Sequence, residues 1–229
     1  MLFYALRSRE IEMDIEIGTQ IPSHFQPEWP EQFELFSFLE FACGIPQILF
    51  VVTTYKPDEL PNVCPHTWSS FVSGKDGCGY YAVLGGLMER THTYRNILRD
   101  RCFCINFLSS TYYDAMMRAI SQNEDTRDEF AVCGFTKAEC KTIHAPRISE
   151  SFLSLECELS DVAEVAGGAL KLIIGKTTFV TIKEGYGEGI DLKYGENGFS
   201  YNVHSPINTT TGICDPVAIA ELEIARKLV

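Results

Sequence analysis

The sequence predicts a mainly β protein, an antiparallel barrel with a few peripheral helices. Three observations carry that expectation. Runs rich in β-branched and aromatic residues recur along the chain, as in QILFVVTTY (47–55) and LKLIIGKTTFVTI (170–182). Few helical patterns lie between such runs, which disfavours an alternating α/β sheet. Between two of them sits Ser73-Gly74-Lys75-Asp76-Gly77, a strong hairpin signal.

Each element follows from local chemistry. Pro22, Pro27 and Pro30 punctuate residues 1–30, so an irregular arm is expected there. Residues 31–42 place Phe33, Phe36 and Phe41 at helical spacing, and Gly44 and Pro46 stop that helix. The run 47–55 is a buried strand, and PDELPN is a turn. Residues 63–72 and 79–87 are the two strands of the hairpin. A short helix over 93–100, a strand over 102–108, a helix over 112–120 and a polar loop over 121–128 follow. Around 136–141 the chain reads as a short helical turn before the Ala145-Pro146 break. Strands are expected at 152–159 and 170–182. The tail 184–215 is rich in Gly and Asn, and PVAIAELEIARKL (216–228) reads as a terminal helix. Two parts result: an arm with its helix (1–44) and a barrel domain with a tail (45–229).

Composition excludes some functions. The 229 residues are 45% hydrophobic and 12% aromatic, enough for a sizeable core. A net charge of -12 argues against nucleic acid and anionic membrane surfaces as partners, because both require a surplus of Lys and Arg. The nine cysteines form no C-x-x-C pair and sit mostly among apolar neighbours. Reduced, mostly buried thiols and a cytoplasmic location are expected. The N-terminus carries early acids and lacks the apolar core of a signal peptide, and no apolar run approaches the ~20 residues that span a bilayer.

Two constellations could carry function. Thr91, His92 and Thr93, preceded by Arg90, stand at the mouth of the 93–100 helix. The hydroxyls serve as helix caps, or they join the helix N-terminus and the guanidinium to hold a dianionic phosphate. The second is PNVCPHTWSSFVSG (61–74). Trp68 fills the barrel while Ser69 and Ser70 bond locally, or a flat aromatic ligand lies along this strand. Asn62 is a turn residue or a donor to the same ligand. Asp128-Glu129 reads as a surface or capping pair, and Arg147 with Glu150 as a structural ion pair. No Ser-His-Asp or Cys-His arrangement stands out, so no catalytic side chain and no metal ligand is assigned.

Four segments, in order, resemble the flavin reductase-like family, the FMN-binding split barrels that include flavoredoxins. They are IPQILFVVTTYKPDELPNVCPHTWSSF, ERTHTYRNILRDRCFCINF, RDEFAVCGFTKAECKTIHAPRISESFLSLECEL and GGALKLIIGKTTFVTI, covering about residues 44–201. The resemblance implies a Greek-key split β-barrel, a non-covalently bound FMN and an oxidoreductase that passes electrons through it. It also implies a homodimer with the flavin near the subunit interface. By position, Asn62, Thr67, Trp68, Ser69 and Ser70 would lie along the isoalloxazine and ribityl chain. Gly85, Arg90, Thr91, His92 and Thr93 would lie near the phosphate, and Asn106 ends the following strand of the cofactor-binding set. Thr91 stands where many members carry the arginine. The pattern also departs at Gly168-Ala169-Leu170, where many nicotinamide-using members show Gly-Asp-His or similar. Leucine neither donates a hydrogen bond nor titrates. The expected electron donor is therefore either a nicotinamide nucleotide or a redox protein, and in the second case the chain is a flavoredoxin-like carrier.

Overall fold

In the computed structural model, residues 14–165, 170–189, 191–216 and 219–224 are described. They group into two compact units, one drawn from 1–45 and 204–217, the other from 46–203 and 218–229.

The smaller unit carries α1 (Gln32–Leu35) and α2 (Phe38–Cys43). The single helix expected over 31–42 is broken, because Phe36 turns extended and Ser37 caps a fresh start, accepting a hydrogen bond from the Leu39 N–H at 3.3 Å. Gly44 ends α2 in the left-handed region, as a helix stop should. Phe25, Phe38, Phe41 and Ile207 form this unit's own small core. The Ile207 N–H donates to the Phe41 carbonyl at 3.0 Å, tying 204–217 to the arm.

The larger unit is a curled antiparallel sheet. Its strands are β1 (Gln47–Tyr55), β2 (Pro61–His66), β3 (Ser69–Ser73), β4 (Tyr80–Leu87), β5 (Cys102–Phe107), β6 (Lys137–Glu139), β7 (Pro146–Ile148), β8 (Leu153–Val165), β9 (Leu170–Ile182), β10 (Ser200–Asn202) and β11 (Ile219–Glu221). The order runs β11-β10-β1-β5-β8-β9-β4-β3, with β2 also on β1, while β6 and β7 form a separate pair. Phe50 and Val52 enter one core cluster, with Leu84, Phe103, Ile105 and Ile173. Leu49 and Val51 enter another, with Met116, Phe130 and Ile148. Both faces of β1 are therefore covered, which is why its sequence is apolar throughout rather than alternating. Three helices flank the sheet: α3 (His92–Asp100), α4 (Tyr113–Ser121) and α5 (Glu129–Cys133).

Three sequence expectations are corrected here. The strand expected over 63–72 is two strands, because the chain leaves β1 after His66, turns at Thr67-Trp68 and pairs with β4 from Ser69. No helical turn forms around 136–141, where Lys137–Glu139 pairs with β7, and a short helix forms earlier at α5. The expected terminal helix is a strand at Ile219–Glu221, paired with β10, so tertiary pairing outweighs its helical propensity there. The rest of that stretch lies largely outside the described residues. Among the described residues no helix is long and apolar enough to cross a membrane.

Candidate functional site

Thr91 adopts the extended backbone of an N-cap, and its hydroxyl accepts from the Tyr94 N–H at 3.3 Å while donating to the Met88 carbonyl at 2.8 Å. The capping reading of Thr91 is thus observed. The N–H groups of His92 and Thr93 lie in the first turn, where helix geometry supplies no intrahelical acceptor. β2 brings Asn62 against this turn, and its side-chain amide donates to Thr93 Oγ1 at 3.0 Å. Both residues are 2% exposed. Asn62, Thr91, His92 and Thr93 line one cavity of about 120 Å³ together with residues of β2 and the end of α4. Cys64 shares its wall, and desolvation pushes that thiol up to about 11.

His92 has two different ring nitrogens. Its Nε2 lies 2.5 Å from Asp125 Oδ1. Its Nδ1 is buried and has no hydrogen-bond partner among the described residues. His92 and Asp125 also border a second cavity of about 370 Å³, lined further by Lys56, Arg95, Asn96 and Arg99. Arg99 is committed there to the Tyr55 carbonyl at 2.6 Å and to Asp100.

Beneath the site lies a buried ion pair. Lys56 Nζ and Glu129 Oε1 are 2.9 Å apart, with side chains 2% and 1% exposed. Glu129 Oε2 accepts the Val63 N–H at 2.6 Å, next to Asn62 on β2. Burial pushes the Glu129 carboxyl upward, against the opposing pull of Lys56. The surface-or-capping expectation for the acidic pair therefore splits. Asp128 caps α5, accepting from the Ala131 N–H at 3.0 Å, whereas Glu129 is a core charge. Helical patterning of EFAVC could have shown Glu129 on the inner face, but no local signal names Lys56 as its partner.

The other expected residues lie elsewhere. Trp68 sits at the corner between β2 and β3, its carbonyl accepting from the Gly85 N–H at 2.8 Å and lying 3.1 Å from His66 Nε2. Gly86 makes that corner possible: its φ is +71°, and a Cβ there would lie 3.0 Å from the indole. Gly85 thus packs against Trp68. Ser69 bonds locally, donating to the Thr67 carbonyl at 3.2 Å, and Ser70 is exposed on β3. His66, which sequence reasoning did not single out, is buried, and desolvation lowers its pKa to about 4, so it is neutral.

Arg90 is exposed in the turn before α3, and among the described residues its side chain makes no hydrogen bond or ion pair. Asn106 is fully buried and fully engaged. Its amide donates to Thr53 Oγ1 at 2.9 Å, and its oxygen accepts the Ile148 N–H at 2.9 Å and the Ser154 hydroxyl at 3.3 Å. It stands apart from the α3 cavity as a core bracket among β1, β5, β7 and β8. The expected Arg147–Glu150 pair does not form; Glu150 accepts the Thr136 N–H instead, at 3.1 Å. All nine cysteines are free. Burial pushes Cys102 and Cys133 up to about 11 and Cys157 to about 12, which makes them poor nucleophiles.

The donor set suits one end of a flavin nucleotide. A helix N-terminus, hydroxyls and an unpartnered buried imidazole nitrogen match a phosphate. A cavity of 120 Å³ is small beside the about 300–1,000 Å³ of typical ligand pockets, so it has room for a phosphate and not for a tricyclic ring.

Comparison with known proteins agrees with this architecture. The flavin reductase like domain matches residues 42–201. A protein of Aquifex aeolicus (strain VF5), described as uncharacterized, is 23% identical over 148 residues, 64% of this chain and 74% of that protein. The structure of nitrilotriacetate monooxygenase component B from Bacillus cereus superposes with a TM-score of 0.67 at 17% identity, covering 93% of this chain and 100% of that one. Flavoredoxin of Desulfovibrio vulgaris (Miyazaki F) superposes with a TM-score of 0.57 at 21% identity, covering 80% and 90%. At these identities the structures share the fold. The match over residues 42–201, on a split-barrel sheet of the same architecture, means that the chain belongs to the flavin reductase-like family.

Proposed function

We propose that this chain is an oxidoreductase that passes electrons through a non-covalently bound FMN. The observation that carries the reading is the cavity at the start of α3. There Thr91, His92 and Thr93 meet Asn62, and the buried His92 Nδ1 lacks a partner among the described residues. When bound, the flavin supplies the redox chemistry, accepting hydride and releasing electrons singly. The protein's residues then have three tasks. The α3 N-terminus and the His92 Nδ1 face the phosphate. Thr93, held by Asn62, presents its hydroxyl hydrogen. The corner at Trp68, with Thr67, Ser69 and Ser70, provides a surface for the ring and its polar edge.

A homodimer fits this reading. Val180 and Ile182, on one face of β9, are 44% and 46% exposed, an apolar patch that a second copy would cover. A cytoplasmic location is supported by nine free cysteines in one chain.

The second reading is a flavoredoxin-like carrier with no nicotinamide-dependent activity of its own. Leu170 favours it: it opens β9 and is 41% exposed, a carbon side chain where a titratable one would face a nicotinamide. Ala169 and Gly168 lie outside the described residues.

The test begins with an absorption spectrum of the purified protein and mass identification of what heat releases. A flavin spectrum with FMN released is expected. A colourless protein that stays colourless after FMN is added overturns the reading. Anaerobic bleaching by NADH or NADPH within seconds then selects the enzyme; bleaching only by dithionite or a reduced redox protein selects the carrier.

A further inference from the structure

Asp125 is 84% exposed, yet its backbone is held in place. It lies in the turn formed by residues 124–127, closed by the Arg127 N–H on the Glu124 carbonyl at 3.2 Å and by Arg127 Nε on Glu124 Oε2 at 3.0 Å. From below, Lys56 Nζ donates to the Glu124 carbonyl at 2.7 Å and to the Arg127 carbonyl at 2.9 Å. Lys56 is itself fixed by Glu129. An exposed carboxylate on a free loop contributes little, because ordering it costs side-chain and backbone entropy. Here the backbone share of that cost is already met by folding, and the carboxylate is delivered to His92 Nε2.

We infer that Asp125 is a positioning residue for cofactor binding, acting through His92 on the phosphate. This rests on the flavin reading above. A neutral imidazole with its proton on Nε2 cannot donate from Nδ1; an imidazolium donates from both nitrogens. Asp125 accepts the Nε2–H and fixes the ring, which leaves Nδ1 as the ring atom that faces the phosphate; in a ring that carries both protons that atom donates. The buried, unpartnered Nδ1 is the atom this arrangement leaves for a ligand. The repulsion between Asp125 and a phosphate works in the opposite direction. It passes through solvent at an exposed carboxylate and is screened, whereas the Nδ1 bond forms in a buried site where it is strongest.

The experiment compares FMN with riboflavin, which lacks the phosphate, by fluorescence titration of flavin-free parent, Asp125→Asn and Asp125→Glu proteins. Asn keeps the shape and the acceptor but removes the charge. Asp125→Asn is expected to weaken FMN about tenfold while leaving riboflavin unchanged, with Asp125→Glu recovering part of the loss. Equal or tighter FMN binding by Asp125→Asn, or parallel losses for both flavins, overturns the role of Asp125 while the flavin reading stands. A parent protein that takes up neither flavin overturns the flavin reading and this role with it.

Discussion

Asn62 and Asn106 sit on β2 and β5, the strands on either side of β1, and both are buried. Their surroundings differ in one respect. Asn106 has its amide on Thr53 and its oxygen on Ile148 N–H and Ser154, a closed set across four strands. Asn62 donates to Thr93, which stands in the first turn of α3 beside a histidine nitrogen with no partner among the described residues. A buried polar group that is fully satisfied stabilises a unique packing. A buried polar atom without a partner beside a cavity, as His92 Nδ1 is among the described residues, is where a ligand can supply the missing bond. The resemblance assigned both asparagines to the cofactor; only the hydrogen-bond accounting tells them apart.

The largest test concerns the ion pair underneath. Glu129→Leu strands a buried lysine and should cost about 3–5 kcal/mol in urea unfolding, while Lys56→Met with Glu129→Leu should recover most of it. A single variant as stable as the parent would mean that the pair does not hold the 124–127 turn. Asn106→Leu should cost about 2–3 kcal/mol, since it orphans the Ile148 N–H and the partners around it. The flavin affinity of the folded protein should not change; a selective loss would return Asn106 to the cofactor.

His66 adds a pH dependence to the closed side. Its pKa is lowered from 6.5 to about 4 by desolvation, so the folded state resists the proton that the unfolded chain accepts. Its contribution is present above 6.5 and is lost as pH falls toward 4, about 2 kcal/mol by pH 5. His66→Gln should flatten that part of the stability–pH curve, and curves of equal slope would show that His66 titrates normally. The smallest effect is on the open side. Thr93→Ala should weaken FMN roughly tenfold, about 1.5 kcal/mol, and leave the Asn62 amide without its acceptor. Identical dissociation constants by flavin fluorescence would remove Thr93 from the site.

Much of this was legible in the chain itself. The apolar runs of β1 and β9 carry their own boundaries, because β-branched residues pack best on a pleated, covered surface. Thr91 and the α3 helix follow from capping chemistry, which acts within three residues. What the chain could not show depends on partners far along it. The break at Thr67-Trp68 exists because β2 and β3 pair with different strands, and Gly86 accommodates the indole at the corner. Lys56 and Glu129 meet across 73 positions, and their pairing shows in neither local pattern. Local propensity and periodicity are properties of neighbouring residues, so sequence alone determined the long strands β1 and β9, the family pattern and the helix mouth. Which buried polar groups end satisfied and which are left open is decided by contacts between distant strands, and only the tertiary structure closes that accounting.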